Sequence, residues 1–372
     1  MIATIKLSAL ANNLSEIRRL IHSSCEILAI IKANAYGHGA TRIAKTLVEL
    51  GVQRFGVASV QEGCALRGAG ISQPILVMGG LLPAQLPELI EHRLTPVLSN
   101  EEITHHIAEW LGSSHLTPYP VHLKIDTGMR RLGFAPECLI PLLENPHIQT
   151  SLTIEGLMTH LADADNVDPE FTRVQLERFQ AVMSQVKLSD RSIALVHAAN
   201  SAGIMYHPFS HFNMVRPGLM LYGCYPRTTQ QHEISLQPVM KITTHIVQIR
   251  SVQPEEYVGY SRGFQATKPL KIAILPVGYA HGYARSLSNR GRVLIQGQRV
   301  PVVGKICMDM MMVDVSVLPH ASIGGEVVLL GEQGEDEIRA EEMASWLNTI
   351  PYEIICNLGM RARHVYVSEE NA

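Results

Sequence analysis

The chain has 372 residues, 46% of them hydrophobic and 17% charged, with a formal net charge of −3. That length holds one large domain and a smaller one, each able to bury its own core. The near-neutral balance and the lack of a dense basic stripe argue against a nucleic-acid partner, and no apolar stretch approaches the ~20 residues of a membrane span.

The start, Met1-Ile2-Ala3-Thr4-Ile5-Lys6, lacks the charged beginning, long apolar segment and cleavage site of a signal peptide, so a cytoplasmic protein is expected. Six cysteines stand at 25, 64, 138, 224, 307 and 356 without a Cys-x-x-Cys pair or a zinc spacing, so free thiols and no metal centre are expected.

From the amino terminus, residues 4–6 read as a strand or a lead-in. Short apolar runs then recur at 26–31, 55–60, 75–79, 95–98, 121–126, 153–159, 193–197 and 214–222. Segments with helical spacing separate them, among them 41–50, 85–92, 101–111 and 170–186. Continuous apolar runs such as Ile27-Leu28-Ala29-Ile30-Ile31 suit strands buried on both faces, as in a parallel sheet. Eight strand–helix units fit an α/β (β/α)₈ TIM-type barrel over residues 1–232. An open doubly wound sheet also alternates strand and helix, and periodicity alone does not exclude it.

Around residue 230 the texture changes to a polar connector, 227–232. Beyond it, runs rich in β-branched residues at 242–252, 271–277, 292–295, 310–317 and 326–330 predict a mainly β domain over 233–372, with 340–347 as its one helix.

Barrels of this kind place functional residues at the carboxyl ends of strands. Lys32 ends the first apolar run and opens Lys32-Ala33-Asn34-Ala35-Tyr36-Gly37-His38-Gly39. An amine at the mouth of a buried strand, followed by small residues and glycines, suits the holding of a carbonyl cofactor, and burial there lowers an ammonium pKa. Other strand ends supply Lys124 and Arg131, His160, His197 with Ser201, and Arg216 before Pro217-Gly218-Leu219. Packing gives no reason for such a set.

The string from Lys32 to Gly39 resembles the pyridoxal-phosphate attachment signature of the alanine racemases. Segments 124–133, 197–203, 215–223, 258–261, 278–285 and 304–309 resemble the same family, in family order and across both expected domains. The resemblance implies a fold type III barrel, a β carboxyl-terminal domain, pyridoxal 5'-phosphate as cofactor and a head-to-tail homodimer with shared active sites.

Residue by residue, the resemblance implies that Lys32 carries the cofactor covalently and is one of two catalytic bases. Tyr260, donated by the partner subunit, is the other, and a phenol with an ordinary pKa near 10 needs help from His160 and Arg216 to act as one. Arg216 faces the pyridine nitrogen. Arg131 meets the substrate carboxylate, and Lys124 occupies a position that carries a carbamate. Tyr36, Ser201, the backbone of Gly218 and Leu219, and Tyr352 hold the phosphate. Met308 and Asp309 line the substrate pocket, and Tyr279, Asp165, His197 and Arg285 match its entrance. Read by itself, Ser201 suits a helix cap.

The sequence departs from the family pattern at His281, where aspartate is common, at Lys305 near the entrance, and in Arg361-Ala362-Arg363-His364-Val365. None of these removes a reacting group. The implied reaction interconverts L- and D-alanine, which supplies D-alanine for peptidoglycan. A small pocket discriminates weakly against an added hydroxyl, so a racemase for another small amino acid such as serine is the nearest competitor. A non-catalytic cofactor carrier is countered by the second domain, and a decarboxylase of the same fold type is separable by release of carbon dioxide.

Overall fold

The structure, a computed structural model, describes residues 1–112, 118–188, 193–227 and 234–368. It divides into two compact units, one of residues 14–35 and 40–221, the other of residues 1–13, 36–39 and 222–372. The expected boundary at 232/233 lies outside the described residues.

The first unit carries eight parallel strands, Glu26–Ile30, Arg54–Val57, Ile75–Val77, Thr95–Leu98, Tyr119–Lys124, Leu152–Met158, Leu195–His197 and Met214–Val215. The first pairs with both the second and the last, so the sheet curls round on itself. Beyond the strand ends, Arg216 N–H donates to Ala199 O at 2.9 Å and draws the two outer strands together. This nearly closed barrel settles the alternative that periodicity left open, against a doubly wound sheet.

The strands are buried toward their carboxyl ends, with Glu26, Arg54, Thr153 and Glu155 at least partly exposed near their starts, and the helices between them bury one face. Glu101–Gly112 shows the logic: Ile103, Thr104, Ile107, Ala108 and Leu111 are buried at helical spacing. Asn100 Oδ1 accepts Ile103 N–H at 2.9 Å and satisfies an otherwise orphaned donor of the first turn.

The expected strand 214–222 is corrected. It stops at Val215, because Pro217 has no N–H to offer a ladder, and Leu219–Tyr222 forms a 3₁₀ turn.

The second unit is mainly β. The amino-terminal strand Ile2–Lys6 lies between Met240–His245, antiparallel, and Arg363–Val367, parallel, within a sheet that also holds Arg292–Ile295, Gln298–Pro301, Glu326–Gln333 and Asp336–Ile338. The expected run 242–252 is two strands in two sheets, since Gln248–Val252 joins Leu270–Leu275 and Met311–Asp314. Ala340–Leu347 is helical as expected, but it is not alone: Pro351–Gly359 is a second helix, with proline at its start, where the missing N–H costs nothing. No described helix is long and apolar enough to cross a membrane.

Candidate active site

Lys32 leaves the strand Glu26–Ile30 and enters a turn that propensity rules argue against. Ala33, Asn34, Ala35 and Tyr36 all have φ between 51° and 54°, one turn of left-handed helix without a glycine in it. Each such residue costs about 1–2 kcal/mol. The turn is held by Glu62, whose Oε1 accepts Ala33 N–H and whose Oε2 accepts Ala58 N–H, both at 2.7 Å. Ala35 N–H donates to Ile31 O at 2.9 Å, and Ala40 N–H to Asn34 Oδ1 at 2.8 Å. Lys32 itself is exposed, which corrects the expectation of a buried amine.

Arg216, beyond the last strand, is buried, and its two terminal nitrogens are engaged. Nη2 donates to Thr159 O and Ala198 O at 2.8 Å and lies 3.4 Å from His160 Nδ1, while Nη1 donates to His197 Nδ1 at 3.0 Å. Burial pulls it down to about 9, so it is still protonated at neutral pH. The same burial, then the cations Arg216, Lys124, Arg131 and Lys32, hold the His160 imidazolium well below its ordinary range. His197 is wholly buried against Arg216, which corrects its expected place along the substrate entrance.

Lys124 ends the strand Tyr119–Lys124 and is buried; burial first, then Arg131, Arg216 and Lys32, push it down to about 8, with Asp126 opposing. The mouth of the barrel therefore gathers four cationic side chains around groups whose charge they suppress. Such a set fits anionic occupants: a phosphate, a carboxylate, or a carbamate on Lys124 itself.

Ser201 is the first residue of the helix Ser201–Tyr206, not its cap. Asn200 caps it, accepting Gly203 N–H at 2.9 Å. Ser201 Oγ instead accepts Gly218 N–H at 3.1 Å and Met220 N–H at 3.2 Å, so its hydroxyl proton is left to donate.

Within the β unit, Tyr36 packs between Tyr222 and Tyr352, with ring centroids 4.9 and 5.7 Å away, and His38 stacks on Tyr222 at 4.5 Å. Tyr222 carried no signal in the sequence beyond the end of an apolar run. Gly37 O and Gly359 O both face His364 Nε2, at 2.8 and 2.9 Å, so His364 ties the Tyr36 segment to the helix bearing Tyr352. Glycine is needed at both positions. A Cβ on Gly359 would lie 2.3 Å from Gly37 O, and one on Gly37 2.7 Å from Ile355 O.

Tyr260 projects from the turn between Tyr257–Val258 and Phe264–Gln265, above a small core of Val252, Val258, Ala266, Leu270, Ile272 and Val303. It is 69% exposed, and Met308, Asp309 and Tyr279 are also exposed. His281 Nδ1 accepts Gly278 N–H at 3.2 Å, closing the turn in the way a short acidic side chain does.

The barrel, its strand-end lysine and its cationic mouth define an enzyme of the α/β-barrel class that works on an anionic small molecule. Family models described as the N-terminal and C-terminal domains of alanine racemase match residues 5–226 and 239–366. The alanine racemase of Halothermothrix orenii is 40% identical over 364 residues, covering 98% of this chain and 96% of that one. The structure of alanine racemase from Bacillus anthracis with bound L-Ala-P superposes with a TM-score of 0.91 at 32% identity, covering 99% and 95% of the two chains. That of alanine racemase from Bartonella henselae with covalently bound pyridoxal phosphate gives 0.87 at 31% identity, over 98% and 99%. The chain belongs to the alanine racemase family, and it is an isomerase that racemises alanine.

Proposed function

We propose that the protein is a pyridoxal-phosphate-dependent alanine racemase working by two bases, Lys32 and Tyr260 of the partner subunit. The observation that carries this reading is the convergence of Lys32, Lys124, Arg131 and Arg216 at one end of the barrel, where burial first and then the neighbouring cations lower Lys124 and His160. These donors fit a phosphorylated cofactor and an amino-acid carboxylate.

Bound, the cofactor supplies an electron-withdrawing ring that acidifies the Cα–H of the amino acid attached to it. Lys32 would hold the cofactor covalently, and its Nζ would take or return the substrate proton on one face. Tyr260 Oη does the same on the other. Arg216 would meet the ring nitrogen of a bound cofactor, and because a guanidinium has no acceptor and keeps its protons, it would not protonate that nitrogen. His160 Nδ1 faces Arg216, which leaves the His160 proton on Nε2, where it can stabilise the phenolate of Tyr260. Arg131 takes the substrate carboxylate, and a carbamate on Lys124 orients Arg131. Tyr36, Ser201, the backbone of Gly218 and Leu219, and Tyr352 seat the phosphate, while Met308, Asp309 and Tyr279 border the substrate. In the cell, a cytoplasmic homodimer of this kind supplies D-alanine for peptidoglycan.

Chiral analysis of products from a panel of L-amino acids tests the reading. D-alanine should form fastest, with exchange of the α-hydrogen for solvent and without release of carbon dioxide. Faster racemisation of serine transfers the assignment to the competing substrate.

A further inference from the structure

Below Arg216, the barrel interior carries a line of polar side chains that the reaction scheme above does not use. Arg216 Nη1 donates to His197 Nδ1 at 3.0 Å, and His197 Nε2 lies 2.9 Å from His122 Nδ1. His122 Nε2 is 3.7 Å from Glu155 Oε2, and Glu155 Oε1 accepts from Arg54 Nη1 at 2.9 Å. Arg54 Nε in turn donates to Glu26 Oε2 at 2.6 Å. Both imidazoles are wholly buried, whereas Glu155 keeps 27% of its side chain exposed and lines a cavity of about 780 Å³ with Arg67, Thr95, Pro120 and Thr153. The line thus runs from the catalytic mouth to the opposite end of the strands.

Its direction is fixed by valence. A guanidinium has only donors, so His197 Nδ1 must accept. A neutral His197 then carries its proton on Nε2, which points at His122 Nδ1, so that nitrogen accepts as well. His122 is left with its proton on Nε2, facing the Glu155 carboxylate. That last gap exceeds a hydrogen bond, and His122 Nε2 has no hydrogen-bond partner; at 3.7 Å Glu155 acts on it as a nearby charge. Reversing either ring, or charging it, sets an N–H against an N–H. The chain also makes room for this arrangement: a Cβ on Gly156 would lie 2.2 Å from His122 Nδ1.

We infer that His197, His122 and Glu155 are positioning residues for Arg216, forming a one-way line that fixes its guanidinium and holds both imidazoles neutral in the Nε2–H form. Arg54 and Glu26 anchor the far end. The consequence for racemisation rests on the function proposed above, but the tautomers do not. They follow from geometry within the barrel.

Nitrogen-15 NMR of histidine-labelled holoenzyme tests the line directly, with His122→Gln and His197→Gln used to assign signals. Both rings should be neutral Nε2–H tautomers between about pH 6 and 8, although free imidazole titrates in that range. A proton on Nδ1 of either ring, or a charged ring, overturns the inference. Turnover supplies the second reading. His122→Leu should lower kcat by about tenfold or more at unchanged KM, because a misplaced group costs rate at a distance. His122→Gln, whose amide both accepts and donates, should recover much of that loss. Equal kcat in wild type, His122→Leu and His122→Gln would show that the line positions nothing. A wild-type protein with the expected tautomers but no alanine racemisation supports the line and overturns the functional reading instead.

Discussion

Glu62 and Ala33 are joined by a hydrogen bond of 2.7 Å, from the backbone N–H immediately after Lys32 to a carboxylate oxygen on the neighbouring helix. The other oxygen takes Ala58 N–H, also at 2.7 Å, beyond the adjacent barrel strand. One carboxylate therefore braces the left-handed turn against the next strand of the sheet. Hydrogen bonds to a charged group contribute about 1.5–3 kcal/mol each. Glu62→Ala should lower the unfolding free energy by about 3 kcal/mol in urea titrations. It should also reduce the cofactor absorption that borohydride bleaches. Glutamine cannot replace glutamate here, since its amide nitrogen would face one of the two N–H donors. An unchanged urea midpoint in the alanine variant counts against the brace.

Lys124 makes a prediction about pH. Its unfolded value is near 10.5 and its folded value about 8, lowered by burial and by neighbouring cations. Below about pH 8 the lysine is charged in both states, and the folded protein bears the cost of that buried charge. Between the two values only the unfolded state binds the proton, so stability rises with pH, by at most about 1.4 kcal/mol per unit. Cofactor-free protein in carbonate-free buffer should show this rise, and Lys124→Met should lack it. Bicarbonate should move the onset of the rise to lower pH, because forming an anionic carbamate on the folded amine among Arg131, Arg216 and Lys32 releases its proton while the unfolded lysine keeps one. If the slope is the same in the methionine variant, another group carries it.

Tyr260 separates chemistry from stability. With 69% of its surface exposed, its hydroxyl contributes little to folding, so Tyr260→Phe should change stability by less than about 0.5 kcal/mol. General-base contributions run to about 10²–10⁴-fold, and kcat should fall within that range with cofactor absorption retained. Normal turnover in this variant removes the tyrosine from the two-base scheme.

The barrel strands were legible because buried parallel strands write themselves as unbroken apolar runs, and the attachment string around Lys32 was legible as a motif. Its conformation was not: alanine and tyrosine do not announce a left-handed turn, and the Glu62 carboxylate that helps hold it lies on a later helix. Periodicity also missed the break between Met240–His245 and Gln248–Val252, since a strand that changes sheet keeps its β-branched texture. The helix Pro351–Gly359 was not among the expected elements, although a proline at the first helical position is a start signal. His122 stood inside a strand as one polar residue among apolar ones. What it meets, His197 and Glu155, is a matter of sheet register, which no local pattern records.

His364 offers a test of how the Tyr36 segment is held. Its Nε2 serves two carbonyls, Gly37 O at 2.8 Å and Gly359 O at 2.9 Å, where the backbones of the Tyr36 segment and the helix Pro351–Gly359 come too close for any side chain to intervene. A donor shared between two part-buried acceptors leaves both underserved when removed, at a cost of about 1–3 kcal/mol. His364→Phe keeps the ring volume and deletes the donor. Its unfolding midpoint should fall accordingly, and the pyridoxal phosphate concentration needed for half-saturation should rise, because Tyr36 follows the same segment. Gln, with an amide that reaches a carbonyl, should restore part of both. A phenylalanine variant as stable as wild type, with the same half-saturation, would mean that glycine packing alone holds the two backbones together.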